Sequence, residues 1–363
     1  MTSKDRVLKA INHNKPDRIP LDGWFNGASI ANMKRYFKTE NSEDVISNLG
    51  IDIRAVYLEP APDFKSESKE LDFIFDFSTW AIADYVQKEV APNVYEDEWG
   101  IQLQLNKDGK NWGYVKHPLS DLTFKNFKVP DLDAPGRSDK AKERIKKFKD
   151  KFISATISTE FRRGWLLTGF SNFLQALLTE RKFIEELLDK LLEYNKKEAK
   201  LLLDAGVDMI ALGGDLGTEE SLFLSPNLWR SIFKPRMEEL IKSIKRINKN
   251  VKVFLHSDGM IEPIIPDLIE VGLDVLNPIQ PECMDPLRIK TLYGDKLTLH
   301  GTMSLQKTFS FGKPDDVIKE AKLRIETCGL DGGLVLAPSN AFTDNIPVEN
   351  IIAFYDFVKD YRL

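Results

Sequence analysis

The sequence predicts an α/β fold, a (β/α)8 TIM barrel with a β-hairpin region inserted in its N-terminal half. Three observations carry this. Short apolar runs alternate with amphipathic helical stretches from residue 164 to the end of the chain. Most runs stop abruptly in polar or glycine residues. Residues 85–130 break the rhythm with strand-like alternation and a proline-marked linker. Continuous apolar strands between helices mean parallel strands covered on both faces. Polar groups gathered at strand ends match the face where such barrels place their chemistry.

The elements follow in order. Residues 18–24 and 51–57 read as early strands. Residues 164–170 (GWLLTGF) read as the first strand of the regular series, with helical sequence to 203. Residues 208–212 follow, ending in Gly213-Gly214-Asp215, and a helix is expected over 227–247. The remaining strands are 251–255, 274–276 (ending in Asn277-Pro278-Ile279-Gln280), 296–299 (ending in His300-Gly301-Thr302) and 333–336 (ending in Ala337-Pro338-Ser339-Asn340). A last helix spans 347–359. In the insertion, residues 96–105 alternate like a strand, 107–110 form a turn and 111–115 return, a hairpin expected over the barrel mouth. An open doubly wound sheet is the alternative, but no GxGxxG-type loop supports a dinucleotide version of it.

Composition sets the outer limits. A chain of 363 residues, 42% hydrophobic and 29% charged, has material for a large core and a wet surface, here read as one domain over 1–363. The net charge of −5 argues against nucleic acid as the main partner. The basic run at 140–151 carries acidic breaks and reads as the solvated face of a helix. No apolar stretch reaches the roughly 18 residues that span a bilayer, and the start lacks the apolar core of a signal peptide. With only Cys283 and Cys328 there is no disulfide framework. A soluble cytoplasmic protein is the expectation.

The chemistry concentrates in Phe254-Leu255-His256-Ser257-Asp258-Gly259. A strand ending in this way delivers an imidazole and a carboxylate, two residues apart, to one face of the mouth. Such a pair holds a metal or moves a proton. Its plain structural alternative is that Asp258 caps the next helix and His256 is a satisfied core residue.

Together with other blocks, these residues give the chain a resemblance to the uroporphyrinogen decarboxylase superfamily, in the branch related to corrinoid-dependent methyltransferases. The blocks are Arg6-Val7-Leu8-Lys9-Ala10-Ile11-Asn12-His13, Lys15-Pro16-Asp17-Arg18-Ile19-Pro20, Asp97-Glu98-Trp99-Gly100, Gly214-Asp215-Leu216-Gly217-Thr218, His256-Ser257-Asp258-Gly259, Asp274-Val275-Leu276-Asn277-Pro278-Ile279-Gln280 and Leu336-Ala337-Pro338-Ser339. The resemblance implies a (β/α)8 barrel. It also implies methyl transfer between a small molecule and the cobalt of a corrinoid carried by a partner protein.

True uroporphyrinogen decarboxylases clamp a polycarboxylate with an arginine-rich segment near the N-terminus; the matching stretch here, Asp22-Gly23-Trp24-Phe25-Asn26-Gly27-Ala28, has no arginine. They also carry a histidine where this chain has Ser339-Asn340. The thiol-methylating members bind zinc through a His-x-Cys pair and a distant cysteine. Here His256 matches the histidine, Asp258 stands at the first cysteine position and Ser339 lies near the second. Loss of both soft ligands disfavours thiol methylation. A His/Asp set suits the opposite half-reaction, demethylation of a small methoxylated donor, aromatic ethers included, because an ether needs its departing oxygen protonated or bound by a Lewis acid.

On this reading His256, Asp258 and Asp215 are the catalytic candidates. His300, Asn277, Gln280, Trp99 and Ser339 are candidates for substrate binding, and zinc would sit on His256, Asp258 and Cys283. Each has a structural alternative: space-filling for His300, helix capping for Asp215, a small buried hydrophobe for Cys283, anchorage of the hairpin for Trp99. Phe25, Phe170 and Phe342 suit an aryl ether. Decarboxylation of a small or tetrapyrrole acid stays open, as does non-catalytic corrinoid or metabolite binding. The oligomeric state is open too, a homodimer included.

Overall fold

The structure, a computed structural model, describes residues 1–67, 69–70, 86–105 and 112–363. Seven parallel strands form one curled sheet in the order Ile53–Val56, Phe152–Ser158, Met209–Gly213, Lys252–His256, Val275–Asn277, Thr298–His300 and Leu334–Val335. The segment around Leu21 closes it. Leu21 bridges Leu336 in parallel; Leu336 N–H donates to Pro20 O at 2.9 Å and Asp22 N–H donates to Leu336 O at 3.1 Å. On the other side Asp52 N–H donates to Leu21 O at 2.9 Å, and Leu21 N–H donates to the Asp52 carboxylate at 2.9 Å. With this eighth member the ring has no free edge, and the expected barrel is present.

The seam is locked by charge. Asp52 is fully buried and accepts from Arg6 Nη1 at 2.8 Å and Arg18 Nη1 at 2.8 Å. A carboxylate taken out of water needs such partners. Side chains alternate along each strand. Ile53, Phe152, Met209, Ala211, Phe254, Val275 and Val335 pack with Trp24 in one cluster inside the barrel. Ile153, Ile157, Ile210, Leu212, Val253, Leu255 and Leu276 turn outward into the larger core beneath the helices. His256 continues the inward row of Phe254.

Two expectations about the barrel's elements are corrected. Residues 164–170 do not form a strand: they lie in the helices Glu160–Thr168 and Phe170–Thr179, and the strand is Phe152–Ser158. The run GWLLTGF looks strand-like because its helix is covered on several sides, with Leu166 and Leu167 packing against Trp99 and Leu187. Apolar content alone does not separate the two cases. The helix expected over 227–247 is two, Pro226–Ile232 and Lys234–Ile247, the second with Pro235 in its first turn.

The insertion is a five-stranded antiparallel sheet of Lys69–Glu70, Val86–Ala91, Val94–Glu96, Gln102–Leu105 and Trp112–Lys116. The stretch read as one strand over 96–105 breaks where Asp97 Oδ1 accepts from Trp99 N–H and Ile101 N–H, both at 2.9 Å. The turn expected at 107–110 lies outside the described residues. Trp99 and Ile101 seat this sheet on the helices Glu160–Thr168 and Arg181–Ala205. The basic run forms the helix Asp139–Lys147, with Lys142, Lys146 and Lys147 exposed. Among the described residues no helix is long and apolar enough to cross a membrane.

Candidate active site

Three strand ends converge at the C-terminal mouth. His256 is the last residue of Lys252–His256, Asp258 lies two residues beyond it, and Asp215 lies two beyond the neighbouring strand Met209–Gly213. Parallel register places Gly213, His256 and Asn277 abreast. His256 Nε2 is 3.7 Å from Asp215 Oδ1 and 4.0 Å from Asp258 Oδ1. One ligand atom from each residue falls within 4.8 Å of the others.

The loops that carry the acids are tied down. Asp258 N–H donates to Asp215 Oδ1 at 3.0 Å, and Leu216 N–H donates to the buried Ser257 Oγ at 2.9 Å. Asn340 Nδ2 donates to Asp258 Oδ2 at 2.7 Å. Burial, and then the nearby Asp215 charge, push the Asp258 carboxyl above its usual range; His256 and the Asn340 hydrogen bond pull the other way without cancelling the rise.

Asp258 opens into a cavity of about 440 Å³, lined also by Thr218, Glu219, Gln280, Leu305, Ser339 and Asn340. Gln280 and Ser339 thus sit in the wall. A wider groove of about 890 Å³ between residues 129–132 and the helix Arg181–Ala205 contains none of the residues singled out by sequence. The mouth cavity is lined by Asp258, a member of the three-residue cluster.

Asn277 and His300 lie below the cavity. Both are buried. Asn277 Oδ1 is 2.6 Å from His256 Nδ1, and Asn277 Nδ2 is 2.7 Å from His300 Nδ1. His300 Nε2 is 3.0 Å from Asp22 Oδ2. Asp22 was not singled out by sequence; the available signal was an acid within the apolar run of residues 19–25, in step with Trp24. Trp24 stands edge-on to His256 at 5.3 Å and stacks on His300 at 6.2 Å.

Trp99 is elsewhere. It packs on Tyr194 at 4.6 Å and beneath Arg163 at 4.6 Å, anchoring the insertion. Phe25 and Phe342 pack on each other in the core, buried, and Phe170 packs on Trp165 and Phe223. Cys283 is buried, and burial with Glu219, Glu282 and Asp258 pushes its thiol up to about 11. Among the described residues it is Asp215, not Cys283, that joins His256 and Asp258.

Two carboxylates and an imidazole are a donor set for a divalent ion of borderline or hard character. In a tetrahedral zinc site neighbouring ligand atoms stand about 3.4 Å apart. The 3.7 and 4.0 Å separations are slightly wider and fit with small side-chain adjustment. Without an ion, the same group can hand a proton to an oxygen in the cavity.

Residues 154–361 match the family described as Uroporphyrinogen decarboxylase (URO-D). Among solved structures, a methyltransferase from Methanosarcina mazei is 20% identical, covers 99% of each chain and gives a TM-score of 0.70. A B12-independent methionine synthase from Shewanella sp. W3-18-1 is 12% identical over 95% of this chain and 93% of that chain, with a TM-score of 0.45. An endo-1,4-beta-mannanase from Rhizomucor miehei is 10% identical over 96% of both, with a TM-score of 0.47. Among curated proteins none matches.

Proposed function

The chain belongs to the uroporphyrinogen decarboxylase family, and from that premise we propose that it is a corrinoid-dependent methyltransferase of the O-demethylase type. It would take the methyl group of a small methoxylated donor, aromatic ethers included, for the cobalt of a corrinoid protein. The observation that carries this is the thiol-free cluster of Asp215, His256 and Asp258, whose Asp258 lines a cavity of about 440 Å³. Soft thiolate ligands would suit activation of a thiol acceptor; this set suits an ether oxygen.

A cobalt(I) corrinoid supplies the nucleophile toward the methyl carbon. This chain's part is the other end of the bond. The ether oxygen leaves with the bonding pair and must be neutralised. Asp258, whose proton is held more tightly than an ordinary aspartic acid's, is placed to give it. His256 and Asp215 complete the hydrogen-bonding and charge environment. If a divalent ion is resident, His256 Nε2, Asp215 Oδ1 and Asp258 Oδ1 hold it, and it supplies Lewis acidity at the same oxygen. Gln280 and Ser339 orient the donor from the wall. Cys283 and Cys328 are both free, which suits a reducing compartment such as the cytoplasm, as cobalt(I) also requires.

The alternative reaction is decarboxylation, which the family's own description favours. Against a polycarboxylate substrate, Asp22, Trp24 and Phe25 are buried and no arginine occupies that stretch. Incubation with a panel of methoxylated aromatics and a reduced corrinoid protein, followed by methyl-cobalt absorbance, tests the proposal. The same mixtures assayed for carbon dioxide test its rival.

A further inference from the structure

We propose that Asp22, acting through His300 and Asn277, fixes His256 in the tautomer that leaves the Nε2 lone pair facing the mouth. This deepens the reading above, which uses that nitrogen. Its test reads ring protons directly and is independent of turnover.

Four side chains stand in a line of contacts, Asp22, His300, Asn277 and His256. A carboxylate has no proton to give. The 3.0 Å contact between Asp22 Oδ2 and His300 Nε2 therefore requires the proton on Nε2. A singly protonated ring then carries its lone pair on Nδ1, which accepts from Asn277 Nδ2 at 2.7 Å. The amide orientation is thereby set, and Asn277 Oδ1 faces His256 Nδ1 at 2.6 Å. A carbonyl oxygen can only accept, so His256 carries its proton on Nδ1. The opposite amide orientation would oppose two acceptors at His300 in a site closed to water, where Asn277 and His300 are 0% and 1% exposed.

A second observation agrees from the other side of the ring. A protonated Nε2 would draw toward the Asp215 carboxylate to about 2.7–3.2 Å. It stands at 3.7 and 4.0 Å instead, neither of them a hydrogen bond. The surroundings hold the geometry. Tyr355 Oη donates to Asp22 O at 3.0 Å. Trp24 lies against both imidazoles and Phe254 stands edge-on to His300 at 5.3 Å. Gly301 has φ +69°, and a Cβ there would fall 2.5 Å from Asn277 Nδ2. Asp22, Asn277 and His300 are thus positioning residues, which reach the cluster only through the Nδ1 side of His256.

The test is a long-range proton–nitrogen correlation spectrum of the full chain with ring-labelled histidine. Only four histidines are present, so single His→Gln variants assign every signal. The wild-type protein should show His256 protonated on Nδ1 and His300 on Nε2. Asp22→Leu should abolish the single-tautomer pattern of His256, and Asp22→Asn, which can still accept, should retain it. A wild-type His256 protonated on Nε2 overturns the proposal, and so does an unchanged His256 pattern in folded Asp22→Leu. Should Asp22→Leu not fold, Asn277→Leu decides: His256 must lose its fixed pattern while His300 keeps its Nε2 proton, and retention by His256 overturns the proposal.

Discussion

Asp215 Oδ1 accepts the backbone N–H of Asp258 at 3.0 Å while standing 3.7 Å from His256 Nε2. One oxygen therefore orders the loop after the strand Lys252–His256 and shapes the charge around its imidazole. The loop conformation and the site's electrostatics are coupled through that atom.

The imidazole is the first target. His256→Ala should leave secondary structure and cooperative unfolding intact and lower methyl transfer by about 10²–10⁴-fold, the usual contribution of a positioned acid or base. Circular dichroism with single-turnover kinetics checks both halves. Retained activity would remove His256 from the chemistry.

Asp258 gives a prediction about stability and pH. Its carboxyl is raised above the ordinary 3.8, so the folded state holds that proton more tightly than the unfolded chain. The resulting stabilisation is fully present below the unfolded value and is lost as pH rises through the folded one. Asp258→Asn cannot ionise and its carbonyl oxygen still accepts from Asn340. It should raise Tm at neutral pH, with the gain shrinking toward acid, while methyl transfer falls. A lower Tm at neutral pH would contradict the burial argument.

Metal content separates the two ways of neutralising the ether oxygen. Protein purified without chelator should carry a divalent ion that Asp215→Ala and His256→Ala release and Cys283→Ser retains, read by elemental analysis. Loss of metal in Cys283→Ser would place the thiol in the ligand set after all.

Barrel closure rests on Asp52, which takes two guanidiniums and the Leu21 N–H. Asp52→Ala leaves both cations without their buried partner and should cost about 3–5 kcal/mol in denaturant unfolding. Asp17→Asn, at a carboxylate 41% exposed, should cost under about 1 kcal/mol.

Much of this was legible in the chain. From residue 208 onward each strand falls within two residues or so of its expected place, because apolar runs with polar stops leave little ambiguity. Phe152–Ser158 was hidden by Ser154, Thr156 and Ser158, which interrupt the apolar run. His256, Asp258 and Asp215 stood out because each lies at or within two residues of a strand's end. Asp22 did not: its partner His300 is 278 positions away, and only closure of the ring at Leu21 brings them together. Trp99, a candidate for substrate binding from sequence, packs between the insertion and the helices beneath it, a distinction that depends on which helices the insertion reaches.

The most direct measurement follows a carbon-13 methoxy label from the donor to cobalt. The account predicts stoichiometric label on the corrinoid protein with release of the corresponding alcohol or phenol by the wild-type chain, and neither with His256→Ala. Release of carbon dioxide from a small acid, with no label reaching cobalt from any methoxylated donor, would contradict it.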